Sequence, residues 1–306
     1  MGYDFDCAVV TGASGFIGQA LMRFLADRNV FVYGIVRHVD DARLFRSERV
    51  VYIPCPMDAY DTLPMLLAGR GRRPKVFYHL AWDGTAGKAR ADYVRQCSNA
   101  RATCDAMVTA KAIGCQRFIA TGTVTEFIAD DMLKRQYTSE NLMYGLAKSF
   151  THKLLDIVAR QQDVDYIWAQ LSNIYGGHNA SGNLISYTLG ELRRGNRPTY
   201  GPCEQPYNFT YIEDVLEALF LLGGVSVHRQ ATYFISNGEC RKLKEYLLSL
   251  ADRFHAEVGI GERPDDGVRY SAAWFDSSAL QEEFGFVPQY RFEDGLKEIL
   301  GDEHEI

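Results

Sequence analysis

The seven cysteines of this 306-residue chain (7, 55, 97, 104, 115, 203, 240) include no Cys-x-x-Cys pair, and their number is odd. That weighs against a disulfide framework or a zinc site and points to reduced thiols in a cytoplasmic protein. No metal is expected. No run of about 18 apolar residues occurs, so the sequence gives no sign of a membrane span or signal peptide. A block of basic residues is also missing, and the formal net charge is −6. Neither nucleic acid nor an anionic membrane is expected as a partner. Internal repeats and low-complexity segments are absent as well. With 47% hydrophobic residues there is ample material for a core. This length suits one large α/β unit or a main domain with a smaller lobe.

What is present begins with Val9-Val10-Thr11-Gly12-Ala13-Ser14-Gly15-Phe16-Ile17-Gly18. An apolar strand from Cys7 to Val10 runs into three glycines and then into a helical pattern. Gly12 lets the chain turn sharply, Gly15 removes a Cβ where a pyrophosphate approaches, and Gly18 allows close helix packing. The start of the helix then offers free N–H groups and its positive dipole end to the anion. Strand, triplet and helix in this order read as a dinucleotide site, with Gly12, Ser14, Gly15, Phe16, Ile17 and Gly18 as its contacts.

The second strand, Val30 to Val36, ends at Arg37. An NAD site needs a carboxylate there for the ribose hydroxyls. A guanidinium instead attracts a 2′-phosphate, so NADP(H) is expected ahead of NAD(H). Arg43 is a candidate second phosphate ligand, and Met57, after a third strand (50–53), a candidate adenine contact. The fourth strand, from Val76, ends in His79-Leu80-Ala81-Trp82 on the side where ligands bind an open parallel sheet. Leu80 and Ala81 are expected beside the cofactor. Trp82 either walls the substrate pocket or only packs, and His79 reads as a hydrogen-bonded structural residue. A helix over 93–114 carries Asn99, which either reaches the cofactor or faces solvent. Cys97 and Cys104 on the same helix read as packing positions.

A fifth strand, 117–120, stops at Thr121-Gly122-Thr123-Val124-Thr125-Glu126. About twenty residues on, Tyr144 and Lys148 share one face of a helix. A phenol titrates near pH 10, too high for efficient proton transfer at neutrality. A nearby ammonium lowers that value, and Thr123 is positioned to hold the reacting oxygen. A sixth strand, 164–171, ends at Ser172-Asn173-Ile174-Tyr175-Gly176, after which the alternation of strand and helix breaks.

With these markers and Asn208-Phe209-Thr210-Tyr211-Ile212-Glu213-Asp214-Val215, the chain resembles, over nearly its whole length, the extended short-chain dehydrogenase/reductases that act on nucleotide-diphosphate sugars. The resemblance implies a Rossmann-type doubly wound parallel sheet with a smaller C-terminal substrate lobe. The dinucleotide domain is expected over 1–175 plus 209–236 and the lobe over 176–208 plus 237–306. Thr123, Tyr144 and Lys148 become the catalytic set. Asn99, Thr121 and Ile174 fall on the cofactor side. Trp82, Asn173, Asn183, Leu184, Tyr200 and Arg263 fall on the substrate side. The resemblance also implies a homodimer paired through the helices 93–114 and 144–161.

Three departures bear on the substrate and the chemistry. Tyr207 stands where many relatives carry a diphosphate-binding arginine, which leaves Arg263 to hold that group. The 4,6-dehydratases of the group need an acid two positions after the catalytic Thr, where this chain has Thr125, with Glu126 one position off. The 3,5-epimerising enzymes need a cysteine directly after it, where Val124 stands. Hydride transfer at one carbon remains. The expected function is NADPH-dependent reduction of a nucleotide-linked 4-keto-6-deoxyhexose. A 4-epimerase is the alternative, and a non-catalytic NADP-binding regulator is the alternative from another class.

Overall fold

The computed structural model describes residues 5–39, 44–177 and 183–301. Arg43 lies outside them. In chain order the strands are β1 (Cys7–Thr11), β2 (Phe31–Val36), β3 (Val50–Pro54), β4 (Val76–His79), β5 (Arg117–Thr123), β6 (Tyr166–Leu171), β7 (Asn173–Tyr175), β8 (Pro206–Tyr207), β9 (Phe209–Tyr211), β10 (Thr232–Ile235) and β11 (Arg241–Lys242). The helices are α1 (Phe16–Asp27), α2 (Leu63–Leu67), α3 (Tyr93–Ile113), α4 (Thr125–Lys134), α5 (Met143–Gln162), α6 (Leu184–Arg193), α7 (Ile212–Gly224), α8 (Leu243–Asp252), α9 (Ser278–Phe284) and α10 (Phe292–Leu300).

Seven strands form one parallel sheet in the order β10-β6-β5-β4-β1-β2-β3. The chain leaves β1 toward β2 and β3, then returns to place β4 on its other side. At that reversal the connections diverge, and a crevice opens beyond the strand ends. The central strands are buried on both faces, which is why β1 and β4 read as unbroken apolar runs. Phe77, Phe118, Trp168, Met107 and Leu155 meet in the core. Each contributes roughly 1.5–3 kcal/mol by leaving water. Local signals set the long helix α3. The Asp92 side chain accepts from Arg95 N at its start, and Gly114, at φ 90°, ends it in the left-handed region.

The chain divides into two compact units. The first is Met1–Asp130, Thr138–Gln170 and Leu216–Tyr233; the second is Asp131–Tyr137, Leu171–Val215 and Phe234–Ile306. These boundaries differ from the expected 175 and 209. The reason is local: β7 pairs in parallel with β9, Asn173 opposite Phe209, and both strands fall in the second unit. That unit has its own aromatic core, where Tyr175, Phe209, Tyr246 and Phe292 pack together. The Asp214 carboxylate ties it by accepting from Gln289 N and Tyr290 N at 2.7 and 3.1 Å.

Among the described residues all seven cysteines are free thiols. Cys97 is exposed, contrary to the packing position expected for it, whereas Cys104 is half-buried. The buried face of α3 is instead Gln96, Asn99, Ala100, Thr103, Ala106, Met107 and Ala110. No described helix is long and apolar enough to cross a membrane. No described group of His, Cys, Asp or Glu is arranged to hold a metal ion.

Candidate functional site

The glycine turn is built against the end of β4. Gly12 sits at φ +67°, and a Cβ there would fall 2.8 Å from Ala81 N and 2.9 Å from Leu80 C. A Cβ on Gly18 would fall 2.1 Å from the Gly12 carbonyl oxygen, so α1 starts directly on the turn. Gly18 thus permits contact with the turn itself, a closer partner than the expected sheet. Gly15 caps α1 with extended backbone and no side-chain hydrogen bond, and no acidic residue stands in the first turn. Ser14 and Gly15 are exposed there, with Phe16 and Ile17 half-buried behind them. This is a cradle of small residues at a helix N-terminus, and it fits a dinucleotide pyrophosphate. Arg37 follows β2 directly and is exposed. Met57 opens a 3₁₀ turn after β3 and packs half-buried against the core.

His79 is structural, as expected. Its Nδ1 pairs with the Thr11 hydroxyl at 2.9 Å and its Nε2 with Thr103 at 3.1 Å. Burial, with Lys148 adding to it, lowers its pKa to about 3, so the ring is neutral. Thr11 also accepts from Ala81 N at 3.3 Å, which fixes the strand end beside the turn.

The loop after β4 is held from α3. Asn99 is buried, donates to Asp83 O at 2.7 Å and accepts from Asp83 N at 2.9 Å. It braces this loop, and the solvent-facing alternative is ruled out. Gln96, one helical turn earlier, accepts from Trp82 Nε1 at 2.8 Å and donates to Gly84 O at 2.9 Å. Sequence reasoning missed Gln96. The signal was its i, i+3 spacing from Asn99 on one face of the helix.

Thr123, Tyr144 and Lys148 come together at the end of β5. The Thr123 hydroxyl lies 3.0 Å from that of Thr125 and lowers the pKa of the Tyr144 phenol. Trp82 meets the Tyr144 ring edge-on, with centroids 6.1 Å apart. Lys148 is buried and donates to the Thr121 carbonyl at 2.7 Å, and its Nζ lies 3.8 Å from the Trp82 ring centroid. Burial pulls its pKa down to about 7, against the pull of the Glu126 carboxylate. Burial pushes the Tyr144 phenol up to about 12, while Arg90 and the Thr123 hydrogen bond act the other way. Glu126 is buried beneath the strand end, where it accepts from Thr123 N at 2.7 Å and from the Trp168 indole at 3.2 Å.

The second unit holds its own cleft of about 660 Å³, formed by the segments 199–206 and 263–270 with Leu184 and Leu243. Leu184, Tyr200 and Arg263, all expected on the substrate side, line it together. Arg263 donates to Thr199 Oγ1 and Tyr187 Oη, both at 2.9 Å. Burial pushes the Tyr200 phenol up to about 12, and Thr188 hydrogen-bonds it. Asn173 and Asn183 do not line the cleft. Asn173 accepts from the Tyr207 hydroxyl at 2.9 Å and donates to Asn208 O at 3.0 Å. Asn183 caps α6, accepting from Ser186 N at 2.8 Å, and donates to Ile174 O at 3.2 Å. Glu204, Asp265, Asp266 and Arg269 also line the cleft and had no motif to mark them.

Comparison with known proteins follows this geometry. The model of the NAD dependent epimerase/dehydratase family matches residues 8–228. The dTDP-glucose 4,6-dehydratase of Haemophilus influenzae is 23% identical, across 95% of this chain and 96% of that protein. The dTDP-4-dehydro-6-deoxyglucose reductase of Escherichia coli is 22% identical over the same shares, 95% and 96%. In fold, the UDP-glucose 4-epimerase of Thermotoga maritima superposes with a TM-score of 0.81 at 19% identity, covering 96% of this chain and 97% of that one. The glycine cradle at the β1 end and the matched family model agree: this chain belongs to the NAD-dependent epimerase/dehydratase family.

Proposed function

We propose that this protein reduces the 4-keto group of a nucleotide-diphosphate 4-keto-6-deoxyhexose with NADPH. The carrying observation is the state of the acids beside an intact Thr123, Tyr144 and Lys148. The dehydratase slot holds the Thr125 hydroxyl, and the neighbouring carboxylate, Glu126, is buried and engaged by Thr123 N and Trp168. No acid is left at that slot to eliminate water. Similarity to a protein named as a reductase of dTDP-4-dehydro-6-deoxyglucose supports the same reading.

Bound in the glycine cradle, a reduced nicotinamide dinucleotide supplies hydride to the sugar carbon. The chain's own residues do the rest. The turn at Gly12 to Gly18 holds the pyrophosphate, and Arg37 takes a 2′-phosphate. The Thr123 hydroxyl orients the keto oxygen, and Tyr144 Oη gives it a proton. Lys148, anchored on Thr121 O, fixes the cofactor's ribose side. Trp82 walls the pocket and excludes water. Arg263 and Tyr200 receive the diphosphate and the base. The test is loss of the reduced-nicotinamide absorbance with such a sugar. NADPH is expected to be consumed stoichiometrically and NADH much more slowly.

We further infer a homodimer. Tyr93, Val94 and Val108 on α3 and Phe150 and Ile157 on α5 expose between 41% and 67% of their surface. An apolar face of this extent on two adjacent long helices favours association. Sedimentation is expected to give twice the chain mass, and a monomer would contradict it.

A further inference from the structure

Positive charge near the phenol favours the proton transfer proposed above, and Lys148 is anchored on Thr121 O with its Nζ over the Trp82 ring. A second cation lies over the Tyr144 ring. The guanidinium carbon of Arg90 lies 4.5 Å from the centroid of the Tyr144 ring. Arg90 belongs to the 3₁₀ turn Gly87–Ala91, between β4 and α3. Buried Gln96 pins this turn, donating to Ala89 O at 3.2 Å as well as to Gly84 O. Arg90 Nε is itself buried and has no hydrogen-bond partner among the described residues. The guanidinium is therefore placed by its backbone and its ring contact, and among the described residues no carboxylate pairs with it.

We propose that Arg90 is a positioning residue for proton transfer, its guanidinium stabilising the Tyr144 phenolate that forms as the proton leaves. The inference rests on the role proposed for Tyr144. The charged groups around the phenol are few. Arg90, from the turn Gly87–Ala91, and Glu126, from α4, are the charged groups among the described residues that act on it. Glu126 raises the pKa of the phenol and Arg90 lowers it, so removing Arg90 leaves burial and a carboxylate acting together.

The direct test places difluorotyrosine at position 144, where fluorine makes the phenol acidic enough to titrate within the range in which the fold persists. Its ¹⁹F shift is followed against pH in the protein without substrate or cofactor. Arg90→Gln is expected to raise the midpoint by about one pH unit, the low end for an opposite charge within reach of a partly exposed group. Arg90→Lys is expected to return most of that shift. The alkaline limb of kcat/KM for reduction should move upward by a similar amount in Arg90→Gln. Equal midpoints in the parent and Arg90→Gln would overturn the inference. A shifted midpoint in a protein that turns over no 4-keto sugar would leave the role of Arg90 standing and remove the proposed reaction instead.

Discussion

The first unit and the second unit each hold a candidate site, and they build these sites in opposite ways. Around Tyr144 the polar side chains are buried and mutually bonded: His79 to Thr11 and Thr103, Asn99 and Gln96 to one loop, Glu126 to β5 and Trp168. Around the second unit's cleft the charged side chains are exposed and carried by loops, with Arg269 paired to Asp265 and Arg263 donating to the neutral hydroxyls of Thr199 and Tyr187. Buried, satisfied networks fix geometry, which proton and hydride transfer need. Exposed loop residues adapt and vary at little cost to the fold, which suits recognition of one sugar nucleotide among many. Under the proposed function, this contrast separates chemistry from specificity along the chain.

The strongest way to break this division is to disturb the first unit. Tyr144→Phe is expected to lower turnover by about 10²–10⁴-fold while NADPH still binds, as read by steady-state rates and fluorescence titration. Unchanged turnover would remove Tyr144 from the reaction. Gly18→Ala comes next. Its Cβ would lie 2.1 Å from the Gly12 carbonyl oxygen, so turn and helix must part. A cost of about 1–3 kcal/mol and weakened dinucleotide binding are expected in thermal melts with and without NADPH.

In the second unit, Arg263→Ala should raise KM by roughly tenfold or more with kcat nearly unchanged, the signature of lost uniform binding. A fall in kcat alone would place Arg263 in the chemistry and erase the contrast. The smallest effect concerns the second unit's frame. The Arg241 guanidinium forks onto Glu293 at 2.6 and 2.9 Å. This pairing lowers the Glu293 pKa from its ordinary 4.5 to about 2. Its stabilisation is complete above the unfolded value and is lost as pH falls through the folded one. At a third exposed, the pair is worth at most about 1 kcal/mol. Glu293→Gln should therefore lower Tm slightly at pH 7, with the difference from wild type fading between pH 4.5 and 2.

The division also explains what could be read from sequence. Strands β1 to β6 and helix α1 were legible from their apolar runs, and α3 and α5 because no proline interrupts their helical patterns. The glycines and the Tyr144–Lys148 pair were legible because backbone approach and helical spacing demand fixed intervals. The helix α4 was missed, since Thr125 to Lys134 follows a reactive strand end with no break residue between them. The exposure of Cys97 was missed because α3 turns small and polar residues inward and leaves larger apolar ones outside. Asn173 and Asn183 read as ligands, yet both hold backbone within the second unit. Arg90 was invisible because its partner ring lies 54 positions away, and no local pattern joins a turn to a later helix.

The most direct measurement of the proposed reaction is the absorbance of NADPH mixed with this protein and a nucleotide-linked 4-keto-6-deoxyhexose, with the sugar product followed in parallel. Stoichiometric loss of NADPH with formation of the 4-hydroxy sugar is the result expected. An unchanged NADPH signal, together with interconversion of an ordinary nucleotide sugar at carbon 4, would contradict the account and assign the site to epimerisation.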